Sequence, residues 1–201
     1  MSLSISLTTE QVEQRLSQLG IPARFTDEER LGLNTTAVVS QDRAVYSFPI
    51  PTDNSSLTLS KIKDIVGANP LLQPAFFDHP WYADEEFMEK PCPSGWHSIF
   101  MDVCPESVGE SIDYVRRLQS DGLELPMAVE VVLMLFLHYA GTKEQLLLRK
   151  HTWCSDLASL GRQVTVGAFG RNGVFVSAHP PGFSSRGLGM CPKVQAKLQV
   201  G

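Results

Sequence analysis

The residues that could do chemistry are concentrated first in PCPSGWHSIFMDVC, residues 91–104. Thiolates and imidazoles are the ligands of structural zinc, so Cys92, His97 and Cys104 could bind a metal with His79 as a fourth ligand. Their gaps of four and six residues differ from the short Cys-x2-4-Cys spacing of zinc sites. On a β-strand His97 and Cys104 would also project to opposite faces. We therefore predict a central strand here and no metal site, with one open question: whether Cys92 contacts His79.

A second candidate is HTWCSD, in which His151 and Cys154 stand three residues apart and Asp156 follows. On a helix the two side chains would share one face, and the imidazole would favour the thiolate that a cysteine nucleophile needs. His179, at the end of a predicted hairpin, could join them. We favour the plainer interpretation, in which His151 ends a helix and Cys154 packs in the core.

Glu130 and His138 are the polar residues inside an apolar run at residues 126–141. On a helix they are separated by roughly 12 Å along the axis, so they cannot act on each other as an acid and base pair. We predict that each bonds a partner at the edge of the core or faces a solvent-lined groove.

The loop HPPGFSSRGLGM, residues 179–190, brings Ser184, Ser185 and Arg186 close to His179 in sequence. It lacks the Gly-Lys-Ser/Thr of a phosphate loop and the Gly-x-Ser-x-Gly of a nucleophile elbow. An ordinary surface loop is the favoured interpretation, and Arg186 is a candidate ligand contact.

Residues 70–93 contain five prolines and five aromatic residues and show no clear period, which is typical of an irregular segment. Phe77, Trp81 and Tyr82 are candidate binding residues, because aromatic side chains contribute much of the energy at interfaces. They can equally hold the segment against its own sheet. We favour the second interpretation.

The composition excludes several classes of protein. A net charge of -5 argues against nucleic acid as a partner. The apolar run at residues 126–141 is shorter than the roughly 20 residues of a membrane span and contains Glu130. No signal peptide is recognisable, and four widely spaced cysteines favour reduced thiols in a soluble cytoplasmic protein. No cofactor motif is present.

Five helices are expected from capping signals and apolar spacing. They begin after Thr8, near Leu59, after Ser107, after Pro126 and after Thr142. β-Branched and aromatic runs predict a hairpin at residues 37–50 and a second at residues 163–179.

The C-terminal hairpin can be predicted in more detail. A three-residue loop at residues 171–173 pairs Gly170 with Val174 and places the small apolar side chains on one face. The six predicted core residues are Val164, Val166, Ala168, Val174, Val176 and Ala178.

These elements predict one α+β domain over residues 1–201, with an antiparallel sheet that includes the C-terminal hairpin and about five helices packed on it. No reactive constellation is convincing, so the leading hypothesis is a non-catalytic binding or protein-interaction module with a protein or small-ligand partner. The alternative is a cysteine- and histidine-dependent hydrolase or transferase built on His151, Cys154 and His179. The oligomeric state does not follow from the sequence.

Overall fold

The most apolar run of the chain forms a fifteen-residue helix at the centre of a computed structural model that describes residues 4–33, 43–119 and 123–194. The helices of these residues are α1 (Thr9–Gln18), α2 (Asp27–Leu33), α3 (Leu59–Val66), α4 (Ile112–Leu118) and α5 (Ala128–Thr142). The strands are β1 (Ile5–Ser6), β2 (Val45–Ile50), β3 (Gly95–Phe100), β4 (Leu123–Glu124), β5 (His151–Ala158), β6 (Arg162–Gly170), β7 (Gly173–His179), β8 (Leu188–Gly189) and β9 (Lys193–Val194).

The strands form two sheets. One has the order β1-β2-β3-β9-β4 and the other the order β7-β6-β5-β8. Each sheet is mixed, because β1 pairs with β2 and β5 pairs with β8 in parallel, while the remaining pairs are antiparallel. The α+β class and the C-terminal hairpin are confirmed, and the described residues contain the expected number of five α-helices, while the predicted single sheet is divided in two.

Helix α5 lies in the main hydrophobic cluster together with residues of both sheets. Phe136 shows the contact, since its ring packs edge-on against Phe76 at 5.4 Å and near Phe169 at 5.6 Å. Twelve of the fifteen residues of α5 are buried. A helix covered on most sides needs apolar residues nearly all round, as the sequence indicated.

Two other predicted helices are confirmed. The Thr8 hydroxyl accepts from the Gln11 backbone N–H while the Gln11 side chain accepts from the Thr8 N–H, which is the capping box expected at the start of α1. Helix α3 ends at Gly67, whose φ of 73° is in the left-handed region. Residues 70–93 form an irregular stretch, as predicted. Residues 95–100 form β3, a central strand of its sheet, which was also predicted.

Two helix starts are wrong. Ser107 belongs to a 3-10 turn, Pro105–Ser107, and α4 begins only after Ser111. Thr142 ends α5 instead of starting a helix, because Lys143 adopts a left-handed conformation with φ of 63°. The chain then enters β5 at His151, so HTWCSD lies on a strand.

The C-terminal hairpin has a different turn from the predicted one. Gly170 pairs with Gly173, so the loop has two residues, and a bulge between Gly167 and Gly170 restores the register. The pairs Val164 with Ala178 and Val166 with Val176 unite the two valine sets as expected. Within the bulge Phe169 is buried and Ala168 is not fully buried, so Phe169 replaces Ala168 in the core.

The first hairpin, predicted at residues 37–50, lies partly outside the described residues. Its second run forms β2, which pairs with β1 on one side and β3 on the other.

Candidate functional site

A group of buried polar side chains lies where the N-terminus of α5 meets β3 and β9. We call Cys92, His97, Glu130 and Lys193 the buried polar cluster. Glu130 Oε1 lies 2.6 Å from His97 Nδ1 and accepts from Lys193 Nζ at 2.5 Å. His97 and Glu130 are only 1% exposed, whereas the Lys193 side chain reaches the surface. Three separate elements thus meet at one carboxylate.

The second oxygen of Glu130 caps its own helix. Oε2 accepts from the Met127 backbone N–H at 2.6 Å, which satisfies one of the free N–H groups at the start of α5. Burial raises the pKa of the Glu130 carboxyl, but the hydrogen bonds and charges of His97 and Lys193 outweigh burial, so its pKa lies below the ordinary value. The carboxylate is therefore held ionised by its two neighbours.

His97 is fully engaged by oxygen acceptors. Its Nε2 lies 2.7 Å from the Pro93 carbonyl oxygen, and its Nδ1 faces Glu130. A carbonyl oxygen can only accept, so Nε2 must carry a hydrogen. The ring consequently has no lone pair directed at Cys92, whose Sγ is 4.0 Å from Nε2.

Cys92 therefore contacts His97 and not His79, which answers the question left by the sequence. Burial, and then the negative charge of Glu130, raise the pKa of the Cys92 thiol well above its usual range. Cys92, His97 and Glu130 have the residue types of a nucleophile, base and orienting acid, yet the base cannot take the thiol proton. The arrangement holds α5 against β3 and does not activate a nucleophile.

The zinc set considered from the sequence is not assembled. Cys104 belongs to a separate apolar cluster with Val45, Phe100 and Val194. His79 is exposed, and its Nδ1 accepts from the Trp81 backbone N–H at 3.4 Å. Within residues 4–33, 43–119 and 123–194, no group of three or more histidine, cysteine or acidic side chains could hold a metal ion.

A second carboxylate, Asp156, also serves the start of α5. Its Oδ2 accepts from the Ala128 N–H at 2.6 Å, and the neighbouring Ser155 N–H donates to the Pro126 carbonyl at 2.8 Å. Burial raises the pKa of Asp156, and the bond from Ala128 opposes that rise. Asp156 is thus used to position α5 and was missed as a cap by sequence reasoning, because it lies 28 residues away.

The structure does not bring His151 and Cys154 together. The helix assumed for them is wrong, and on β5 residues three apart project to opposite faces. Cys154 belongs to the main cluster with α5, whereas its neighbour Trp153 packs with α4 and β8 in another. Burial raises the pKa of the Cys154 thiol well above its usual range.

His151 and His179 lie on the Trp153 side of the sheet. The His179 ring stacks on Phe183 at 4.0 Å and meets Trp153 edge-on at 6.0 Å. Burial, and to a smaller extent the charge of His179, lower the pKa of His151 to about 4. His151 Nδ1 is buried and makes no hydrogen bond. In the adjacent loop Ser184, Ser185 and Arg186 are exposed.

Glu130 and His138 are far apart on α5, as expected, and have different partners. The His138 ring meets Tyr46 edge-on at 5.6 Å, and its Nε2 is 3.8 Å from the exposed Glu144 carboxylate, which is too long for a hydrogen bond. Glu130 has the predicted bonded partner, whereas neither ring nitrogen of His138 makes a hydrogen bond.

The aromatic segment is held against the second sheet. Phe76 and Tyr82 are completely buried, and the Tyr82 hydroxyl donates to the Phe77 carbonyl at 3.3 Å. The Phe77 ring stacks on Phe175 at 3.9 Å, and the Trp81 indole N–H donates to the Val176 carbonyl at 3.1 Å. Packing of the segment on its own sheet, the favoured interpretation, is confirmed. Tyr82 has no exposed surface with which to touch a partner, which corrects its choice as a binding residue.

The connection between β5 and β6 was not singled out by the sequence. Its residues, Ser159–Gly161, form a 3-10 turn that we call the Leu160 turn. Leu160 is 94% exposed and has φ of 60° and ψ of 23°, a left-handed conformation that leucine rarely adopts. The Glu85 carboxylate accepts from both the Ser159 N–H and the Ser159 hydroxyl at 2.7 Å. A fixed turn therefore displays a leucine to solvent.

A surface groove of about 480 Å³ shares no lining residue with the buried polar cluster. It is lined by Ser17, Gly20, Ile21, Pro22, Ala23, Arg24 and Asp53. None of these side chains is a cysteine or a histidine, so the groove contains no nucleophile and base pair.

No helix in the part of the chain that the structure describes is long and apolar enough to cross a membrane. Comparison of the chain with protein-family models, with curated proteins and with solved structures finds no match to any of them. The function must therefore be argued from the geometry of this chain alone.

Proposed function

We propose that this chain is a non-catalytic protein-interaction module whose contact surface includes the outer side of residues 70–90. The observation that carries the proposal is the fixed but irregular course of this segment, with buried aromatic anchors and two exposed leucines that precede them. Leu71 and Leu72 are 88% and 67% exposed, and Trp81 retains part of its surface. Apolar groups displayed on a rigid backbone lose little entropy when a partner covers them.

The anchoring of the segment is distributed along its length. Phe77 N–H donates to the Val174 carbonyl at 2.8 Å, and Val174 N–H donates to the Ala75 carbonyl at 2.8 Å. The Gln73 amide donates to the Arg171 carbonyl at 3.0 Å. The first two bonds occupy the outer edge of β7 at Val174, so we expect side chains and not an added strand to supply the contact.

The burial of the reactive groups supports a non-catalytic role. All four cysteines are free and buried, and burial raises the pKa of each thiol. Nucleophilic cysteines need the opposite, a lowered pKa and access to substrate. The alternative, a hydrolase or transferase, would have to use His151 and His179 without Cys154, because Cys154 lies on the other face of β5.

We further propose a cytoplasmic location and a protein rather than a nucleic-acid partner. Four free thiols are typical of a reducing compartment, since oxidising compartments favour disulfides. The net charge of -5 disfavours contact with a phosphate backbone.

Site-specific photo-crosslinking in the source cells tests the proposal. A photoreactive residue would replace Leu71 in one variant and His79 in another, with Gln18, an exposed residue of α1, as the control position. We expect a defined protein to be crosslinked from residues 71 and 79 and not from residue 18. Equal crosslinking from all three positions, or none, would contradict the proposal.

A further inference from the structure

We propose that Leu160 is the anchor by which this chain docks into an apolar pocket, rimmed by basic residues, on a partner protein. The inference rests on the proposed function and names the residue and the kind of partner. It begins from a leucine that neither packs in the fold nor suits its backbone conformation. At 94% exposure Leu160 contributes no burial, and its left-handed φ of 60° favours glycine or asparagine. Unfavourable local geometry that is maintained by its surroundings is characteristic of functional positions.

The surroundings of the Leu160 turn keep that geometry in place. Arg162 donates from Nε to the Ser159 carbonyl at 3.1 Å and from Nη2 to Glu85 Oε1 at 3.2 Å. The guanidinium also lies over the Trp81 ring, 5.1 Å from its centroid. Glu85 and Trp81 belong to the anchored segment, so residues 70–90 hold the turn from one side. Leu160 is thus presented in one conformation before any partner binds, which is how interface anchors gain affinity.

The charges around the turn indicate what the partner must look like. Four carboxylates lie within residues 84–89. Of the nearby cations, Arg162 and Lys90 are each paired with one of these carboxylates, and Lys63 lies over the Tyr82 ring. The acidic residues are Asp84, Glu85, Glu86 and Glu89. Asp84 and Glu89 are exposed, and neither makes an ion pair within the described residues. A second copy of this chain would bring the same acidic rim to the contact, so repulsion disfavours self-association there.

A partner pocket that accepts a leucine and carries lysine or arginine at its rim satisfies both features. The apolar pocket would bury Leu160, and the basic rim would meet Asp84 and Glu89. Electrostatic attraction of this kind raises the association rate, while the buried side chain determines how long the complex lasts.

The experiment uses the full chain with a photoreactive residue at position 160, expressed in the source cells beside the variant crosslinked from position 71. Capture alone does not count as support. The captured protein is identified and purified, and its Kd is measured for the unmodified chain, Leu160→Ala and Leu148→Ala. Leu148 is the control, because it is an exposed leucine that lies outside the turn. Leu160→Gly is added, because glycine suits the left-handed conformation and therefore removes the side chain without risk to folding.

We expect Leu160→Ala and Leu160→Gly each to raise Kd at least tenfold through faster dissociation, and Leu148→Ala to leave Kd unchanged. Asp84→Lys should lower the association rate several-fold, with the difference reduced at high salt. If a partner is crosslinked from position 71 but its Kd is independent of Leu160, the anchor is refuted and the interaction module stands. If neither position captures a protein, both proposals fail. Capture of a second copy of this chain would overturn the assignment of the partner.

Discussion

Replacing Glu130 with glutamine removes one charge and almost no volume at the centre of the buried polar cluster. The carboxylate accepts three hydrogen bonds, from His97 Nδ1, Lys193 Nζ and the Met127 N–H. A glutamine amide offers one oxygen, so its NH2 group must face at least one of these donors. The substitution also leaves the Lys193 ammonium without its counter-ion.

The magnitude follows from the burial of the pair. Removing one partner of a buried ion pair costs about 3–5 kcal/mol, because the remaining charge is not compensated. Lys193 is partly exposed and can turn toward water, so the expected loss is about 3 kcal/mol. For a chain of this size that loss lowers Tm by about 10 °C, given about 2–4 °C for each kcal/mol.

Urea unfolding at neutral pH, followed by circular dichroism, measures the loss as a change in midpoint at constant m. Glu28→Gln, an exposed glutamate of α2, is the matched control and should change the free energy of unfolding by less than about 0.5 kcal/mol. The pKa of Glu130 is lowered in the folded state, so its contribution is present above the ordinary carboxyl pKa and is lost as pH falls through the lowered value. The free energies of unfolding of the unmodified chain and of Glu130→Gln should therefore converge at acidic pH. A Glu130→Gln protein as stable as Glu28→Gln at neutral pH would refute the account of the cluster.

Three further predictions concern other parts of the fold. The pKa of His151 is lowered to about 4 in the folded chain, so the unfolded chain binds this proton at a higher pH. The free energy of unfolding should therefore fall by up to about 3 kcal/mol between about pH 6.5 and 4. His151→Gln, but not His79→Gln, should make the urea midpoint less dependent on pH over that range. Gly173→Ala should lower the free energy of unfolding, measured by thermal unfolding, by about 3 kcal/mol, because its Cβ would lie 2.5 Å from the Ala75 carbonyl oxygen at a φ of +94°. Gly182→Ala is the control: its φ is +82° but the space around it is open, so it should show only the cost of the backbone conformation. Iodoacetamide at neutral pH should leave Cys154 unmodified in the folded chain and modify it in urea; rapid modification of the native thiol would restore the nucleophile hypothesis.

The local signals of the sequence were reliable where the partner of each group is also local. The Thr8 box is satisfied by Gln11, three residues away, and α1 begins where predicted. Ser107 and Glu110 have the same signature, yet the Ser107 hydroxyl donates to the Cys104 carbonyl and accepts from the Met190 N–H, 83 residues away. Only the tertiary fold decides between these outcomes, because the spacing is identical.

The secondary structure of HTWCSD was predicted wrongly for a related reason. Leucines followed by a basic pair suggested a helix, but the left-handed Lys143 ends α5, and His151 pairs with Gly167 of β6 and Leu188 of β8. Both pairings are long-range, so no window of the sequence contains them. In the C-terminal hairpin the shared face of the valines was predictable from alternation, while the bulge that produces it was not.

The buried polar cluster explains why residue types alone pointed toward chemistry. Helix α5 is too apolar to cap its own N-terminus with a serine or threonine, since Met127 occupies the cap position. Its first N–H groups are satisfied instead by Glu130 and by Asp156 of β5, and Glu130 in turn requires His97 and Lys193. Carboxylates and an imidazole therefore lie together as they would in an active site, yet their hydrogen bonds are used to hold the N-terminus of α5 in the core. The Leu160 turn is held by Glu85 and Arg162, which lie outside this cluster, and for that reason the proposed function rests on the surface and not on the buried carboxylates.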